Sequence, residues 1–134
     1  MISIEEGIVY KLKHTAGITA LVSTRIYPLV LPVSVTLPAI TYQRIDTPRE
    51  ITHDQAAGGL AMPRFQFTAW GTFSEAKGII KALRAALNGF RGTFGAGANT
   101  VRVYGVLADT ERDDYDPDSG LYWSIADYFL HHEE

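Results

Sequence analysis

Three carboxylates at alternate positions, Asp114, Asp116 and Asp118, repeat the D-x-D-x-D start of a calcium loop, in which side chains converge on a hard cation. The remainder of that motif is missing: Pro117 stands at the fourth position, Ser119 where glycine makes the turn, and Ile125 where a bidentate glutamate belongs. These residues therefore read as a solvated hairpin tip. The glycine-rich run Gly92-Thr93-Phe94-Gly95-Ala96-Gly97 resembles a phosphate cradle in composition only, because it follows a predicted helix instead of opening one and no Lys-Ser/Thr pair comes after it. The histidines His14, His53, His131 and His132 lack the i, i+4 spacing about a glutamate that marks zinc hydrolases. His131 and His132 read as part of a frayed terminal tail. No G-x-S-x-G serine accompanies His53-Asp54, so a hydrolytic triad is unsupported. Lys77, Lys81 and Arg84 make one basic stripe on a predicted helix, continued by Arg91. With no aromatic residues interleaved and an acidic whole chain, the stripe suits an acidic protein surface better than nucleic acid.

The elements that would carry these residues follow from periodicity. Arg64-Phe65-Gln66-Phe67-Thr68-Ala69-Trp70 alternates with period two and places Phe65, Phe67 and Ala69 on one face. The helix after it buries Ala76, Ile79, Ile80, Leu83, Leu87 and Phe90 as one stripe, capped by Thr72 or Ser74 and ended by Asn88-Gly89. Ser3 and Glu6 have capping-box spacing ahead of a helix over residues 4–14, with Gly17 ending it or separating a further turn. Residues 26–31 read as an extended edge, since Pro28 cannot donate to a ladder, and Pro38 opens a strand, with Ile40 and Tyr42 alternating with Thr41 and Gln43, that runs until Thr47-Pro48 stops it. Residues 50–59, with Glu50, His53, Asp54, Gly58 and Gly59, read as a long mobile docking loop between two antiparallel strands, and residues 92–99 as a flexible loop. Two strands close the chain, over residues 100–110 and 121–130. The expected fold is α+β: an antiparallel sheet of about four to five strands against an N-terminal helix and one long central helix, in a single domain over residues 1–134.

Composition narrows the class. At 134 residues, 46% hydrophobic and 20% charged, the chain is that of an ordinary folded domain. It has no cysteine, which removes disulfides, thiol nucleophiles and cysteine-bound zinc together. Its most apolar segment, residues 26–35, is too short to span a bilayer and is broken by Pro28 and Pro32. Charges near the N-terminus argue against a secretory signal, and the default location is the cytoplasm. The net charge of −3 is unevenly distributed: residues 1–108 hold eleven Lys and Arg against six Asp and Glu, and residues 109–134 hold one against nine. Either the last strands fold back and neutralise the rest, or opposite charges on different faces draw copies together head to tail.

Taken in order, the initial helix, Arg25-Ile26-Tyr27-Pro28, Leu37-Pro38-Ala39-Ile40-Thr41-Tyr42-Gln43, the Arg64 to Trp70 strand and the Ala76 to Asn88 helix resemble the small tail-completion proteins of long-tailed phages and prophages. That family is related in fold to tail-terminator and head–tail joining proteins. The resemblance implies a structural subunit with no catalytic residues, cofactor or metal. It implies a ring, often of six copies, at the head-proximal end of the tail. The ring stops tube growth and joins the head connector. The implied partners are other copies, the tail tube protein and the connector protein, with no membrane and no specific nucleic acid. The implied location is the virion tail and, during assembly, the bacterial cytoplasm. On this reading Asp113, Asp114, Asp116 and Asp118 of one copy face Lys77, Lys81 and Arg84 of the next. Two alternatives stand beside it, a cytoplasmic α+β module that binds a ligand or protein through its sheet and an enzyme with an unrecognised site.

Overall fold

Helix α1 (Ile4–Lys13) starts where the Ser3 hydroxyl accepts from the Glu6 N–H at 3.1 Å. The Glu6 carboxylate accepts from the Ser3 hydroxyl, so only one half of the expected reciprocal box forms. The structure is a computed structural model and describes residues 1–47 and 60–133. Helix α2 (Ala16–Val22) follows after a break at His14-Thr15, which places Gly17 inside the second helix and not at the end of the first. Ile4, Ile8 and Leu12 of α1 and Ile18 and Val22 of α2 are buried.

Strands β1 (Ile26–Pro28), β2 (Ala39–Asp46), β3 (Leu60–Ala61), β4 (Arg64–Gly71), β5 (Gly92–Ala96), β6 (Asn99–Asp116) and β7 (Leu121–Glu133) form one sheet, with α3 (Phe73–Leu87) between β4 and β5. Six strands lie in the order β1-β2-β4-β7-β6-β5, and β3 pairs β7 off that path. The fold is α+β as expected, but the sheet is larger than four to five strands and is mixed, because β1 runs parallel to β2. A three-residue strand with one buried side chain carries too little periodicity to reveal its direction.

Residues 92–99 also depart from expectation. They are not a loop: β5 pairs β6 from Gly92↔Val103 to Ala96↔Asn99. At Gly95, φ is +108° and a Cβ would lie 2.1 Å from the Asn99 carbonyl oxygen, so this glycine permits close strand approach. Nor is the C-terminus frayed as far as Glu133, since β7 carries His131 and His132 into pairing with β6 and β3, with His132 buried.

The three helices cover one face of the sheet. Phe65, Phe67 and Ala69 of β4 and Ala126, Tyr128 and Leu130 of β7 are fully buried beneath them. Helix α3 opens with a complete capping box between Thr72 and Glu75 and inserts Ala76, Ile79, Ile80, Leu83 and Leu87 into that layer. Its stripe ends at Leu87, and Phe90 packs just beyond the helix. Gly7 lets α1 lie close to β5 and β6, because a Cβ there would stand 2.6 Å from Val101 Cγ1. No helix among the described residues is long and apolar enough to cross a membrane.

Candidate functional site

Strand pairing decides which acidic residues meet α3. Glu111, Asp113 and Tyr115 sit opposite Ala126, Ser124 and Tyr122 and therefore project to the helix side. Lys77 and Arg84, seven residues apart, lie about 10.5 Å apart along one face of α3. The Lys77 ammonium pairs with Asp113 at 3.0 Å, and the Arg84 guanidinium pairs in fork fashion with Glu111 at 2.9 and 2.7 Å. The acidic strand thus lies against the basic stripe of its own chain. Lys81, between those two, forms no ion pair among the described residues. The Ser124 hydroxyl donates to Asp113 at 2.7 Å; this bond and Lys77 hold the Asp113 carboxyl below its ordinary value of 3.8.

At the hairpin tip the carboxylates serve the turn. Asp116 accepts from the Asp118 N–H at 3.0 Å and from the Ser119 hydroxyl at 2.7 Å, and the serine bond foremost lowers its pKa. Asp114 accepts from the Tyr115 N–H. Among the described residues no three His, Asp or Glu side chains gather to hold a metal. His14 stacks on Tyr10 at 3.9 Å at the end of α1, and His131 meets the Tyr104 ring edge to face. Glu50, His53, Asp54, Gly58 and Gly59 lie outside the described residues.

The face of the sheet away from the helices has its own polar group. A bulge between Ala108 and Glu111 turns Asp109 and Thr110 toward Asp127. Arg64 donates to Asp127 at 3.1 and 2.8 Å, reaches Asp109 at 2.6 Å and lies over the Phe129 ring. Nearby, Trp70 and Trp123 pack at 5.3 Å, and the Trp70 indole donates to Thr41. Sequence reasoning missed this constellation because its members come from two strands and a bulge that local periodicity does not announce.

Two apolar surfaces were missed as well. Leu29, Val30 and Val33 are 64%, 72% and 97% exposed in the connection from β1 to β2. The available signal was the absence of any charge over residues 26–43. At the start of α3, Phe73 meets the Tyr122 ring edge to face at 6.0 Å and Tyr115 packs tilted on it at 4.5 Å, all three half-exposed. Exposed apolar clusters of this kind mark contact with other proteins. A shallow apolar groove of about 420 Å³ also lies between α1 and β2, with Val9, Tyr10 and Tyr42 in its lining.

Among solved structures, a chain from the "Virion of native gene transfer agent (GTA) particle" is similar, with a TM-score of 0.74 and 19% identity, covering 94% of this chain and 92% of that one. At that identity the likeness is one of fold. No curated protein sequence matches the chain. The model of the family described as tail completion protein gp17 matches residues 6–130, nearly all of the sequence whose geometry is set out above, and the chain belongs to that family.

Proposed function

We propose that this structural phage-tail protein closes the head-proximal end of the tail as a ring of its own copies, ending tube growth and joining the tail to the head connector. The observation that carries the reading is the tail-completion family match over residues 6–130. The surface is consistent with it, because a subunit used through its contacts can leave Leu29, Val30, Val33 and Leu107 in solvent until neighbours cover them. Its partners are other copies, the tail tube protein and the connector. In this reading Lys81, Asp114, Asp116 and Asp118, which form no ion pair among the described residues, face a neighbouring copy, while Lys77, Arg84 and Asp113 stiffen the strand that presents them. Residues 50–59 complete the docking surface.

Electron microscopy of the purified protein mixed with isolated tails tests this reading. The expected image is a ring with several-fold symmetry at one end of each tail. Bare tail ends, together with a strict monomer by light scattering at high concentration, overturn it.

A further inference from the structure

Asn88-Gly89 is the one Asn-Gly step in the sequence, and such a step carries a chemistry of its own. An asparagine side-chain amide is lost without an enzyme when the next residue's backbone nitrogen attacks its carbonyl carbon. Glycine eases that attack because it has no Cβ to crowd the nitrogen. Here the step lies at the end of α3, where Asn88 is the C-cap and Gly89 turns the chain with φ +78°. Both residues are exposed, and among the described residues a Cβ built at Gly89 would meet nothing within 4 Å, so water and base reach the turn.

Two hydrogen bonds tie this turn to β6. The Gly89 N–H donates to the Val106 carbonyl at 2.8 Å, and the Ala108 N–H donates to Asn88 Oδ1 at 3.1 Å. They take up the strand where its pairing with β5 ends, at Val103. The reacting atoms are thereby held apart. A five-membered imide closes only when the Gly89 nitrogen eclipses the Asn88 Cβ, and with ψ at +124° that nitrogen is rotated far from Cβ. Its proton is also committed to Val106, and the bond from Ala108 fixes the side chain that would have to swing inward.

We infer that Asn88 is a spontaneous deamidation site that the fold keeps closed and that opens only when the end of α3 lifts from β6. The Gly89 nitrogen then bonds to Asn88 Cγ, the Cγ–Nδ2 bond breaks, and ammonia leaves with the proton of the Gly89 N–H. Water opens the resulting imide at either carbonyl, giving aspartate or isoaspartate. Neither product restores the junction. Aspartate keeps an acceptor for Ala108 but sets a negative charge at the negative end of α3. Isoaspartate lengthens the main chain by one carbon, so Gly89 and the residue 88 side chain no longer meet Val106 and Ala108 together. The site stands whether or not the chain closes a ring.

Peptide mass spectrometry on the whole protein, held in mildly alkaline buffer with and without urea, tests the inference. Asn99 is the internal reference, because the β-branched Thr100 that follows it crowds the attacking nitrogen. Conversion at residue 88 is expected to be at least about tenfold faster in the unfolded chain than in the folded one, with residue 99 unchanged over the same interval. Amide hydrogen exchange then tells local opening from global unfolding without any variant. The ratio of unfolded to folded deamidation rates should match the protection of the Gly89 amide and fall well below that of the core amides at residues 65–69. In the purified isoaspartate form, Gly89 and Ala108 should lose protection while residues 65–69 keep theirs. An Asn88 that stays amidated in urea overturns the site. Equal rates in folded and unfolded protein overturn the closure by the fold, and a folded rate that follows the core amides overturns the local opening. Unchanged protection at Gly89 and Ala108 after conversion overturns the loss of the junction.

Discussion

The β6–β7 hairpin is one continuous ladder with two unlike halves. Near its open end Val103 and Val106 sit opposite His132 and Leu130 beneath the helices, and these four are buried together with Val101 and Tyr128. From Leu107 on, across the bulge, residues 107–115 of β6 are all exposed, no strand among the described residues pairs their outer edge, and helix contact is made through Lys77 and Arg84. The first half is held by burial, which is strong and indifferent to salt. The second is held by polar pairs, each weak and sensitive to pH and ionic strength. Acidic side chains and a bulge on that edge also discourage uncontrolled strand addition, as expected of a subunit that must meet only its own partners.

The comparison breaks most visibly in the buried half. Phe67 is fully buried and meets the Tyr128 ring edge to face at 5.7 Å. Phe67→Ala removes the aromatic ring and leaves a cavity, at an expected cost of about 3–5 kcal/mol. Urea unfolding measures this as a lower midpoint at unchanged slope. A loss under about 1 kcal/mol would mean that the core layer does not govern stability.

Tyr128 sits where the halves join and senses both. Burial first, then the nearby Glu111 charge, push its phenol up to about 12, while Arg84 pulls the other way. Among the described residues its hydroxyl has no hydrogen-bond partner. The unfolded phenol, with a pKa near 10, loses its proton before the folded one, so this contribution is whole below pH 10 and is lost as pH rises through 12. Two units correspond to about 3 kcal/mol. Relative to Tyr128→Phe, the wild type is expected to lose stability by up to that amount between pH 10 and 12, while at pH 7 the variant is equal or slightly more stable. Parallel alkaline curves for the two proteins would show that Tyr128 is hydrated.

The same division explains what could be read from the sequence. The Phe65, Phe67, Ala69 face and the Ala76 to Leu87 stripe were legible because burial imposes a period on consecutive residues. The distal half of β6 was not: residues 109–116 contain five acids, one arginine, one threonine and one tyrosine, and strand length there is set by pairing with β7. The glycines of residues 92–97 suggested looseness because a glycine that permits close approach and one that permits flexibility look alike in sequence. Of the proposed site, the charges were visible and their partners were not. That Lys77 and Arg84 meet their own hairpin depends on the register of β6 against β7 and on where α3 crosses them. The aromatic cluster escaped notice because Phe73, Tyr115 and Tyr122 come from three elements.

The smallest expected effect isolates the distal half. Asp113→Asn keeps an acceptor for the buried Ser124 hydroxyl while removing the charge that faces Lys77. Because the pair is largely exposed, the loss at pH 7 should be no more than about 1 kcal/mol and should shrink in molar salt. The Asp113 carboxyl is held below 3.8 in the fold, chiefly by Ser124 and then by Lys77, so its contribution is present above that pH and disappears as pH falls through the lowered value. The wild-type advantage over D113N should therefore close in acid below about pH 4. Amide hydrogen exchange at residues 111–116 reports it locally, with faster opening in the variant at pH 7 and little change at residues 101–106. Equal acceleration in both stretches would mean that the two halves open as one unit, and the division between buried and polar halves of the hairpin would have to be abandoned.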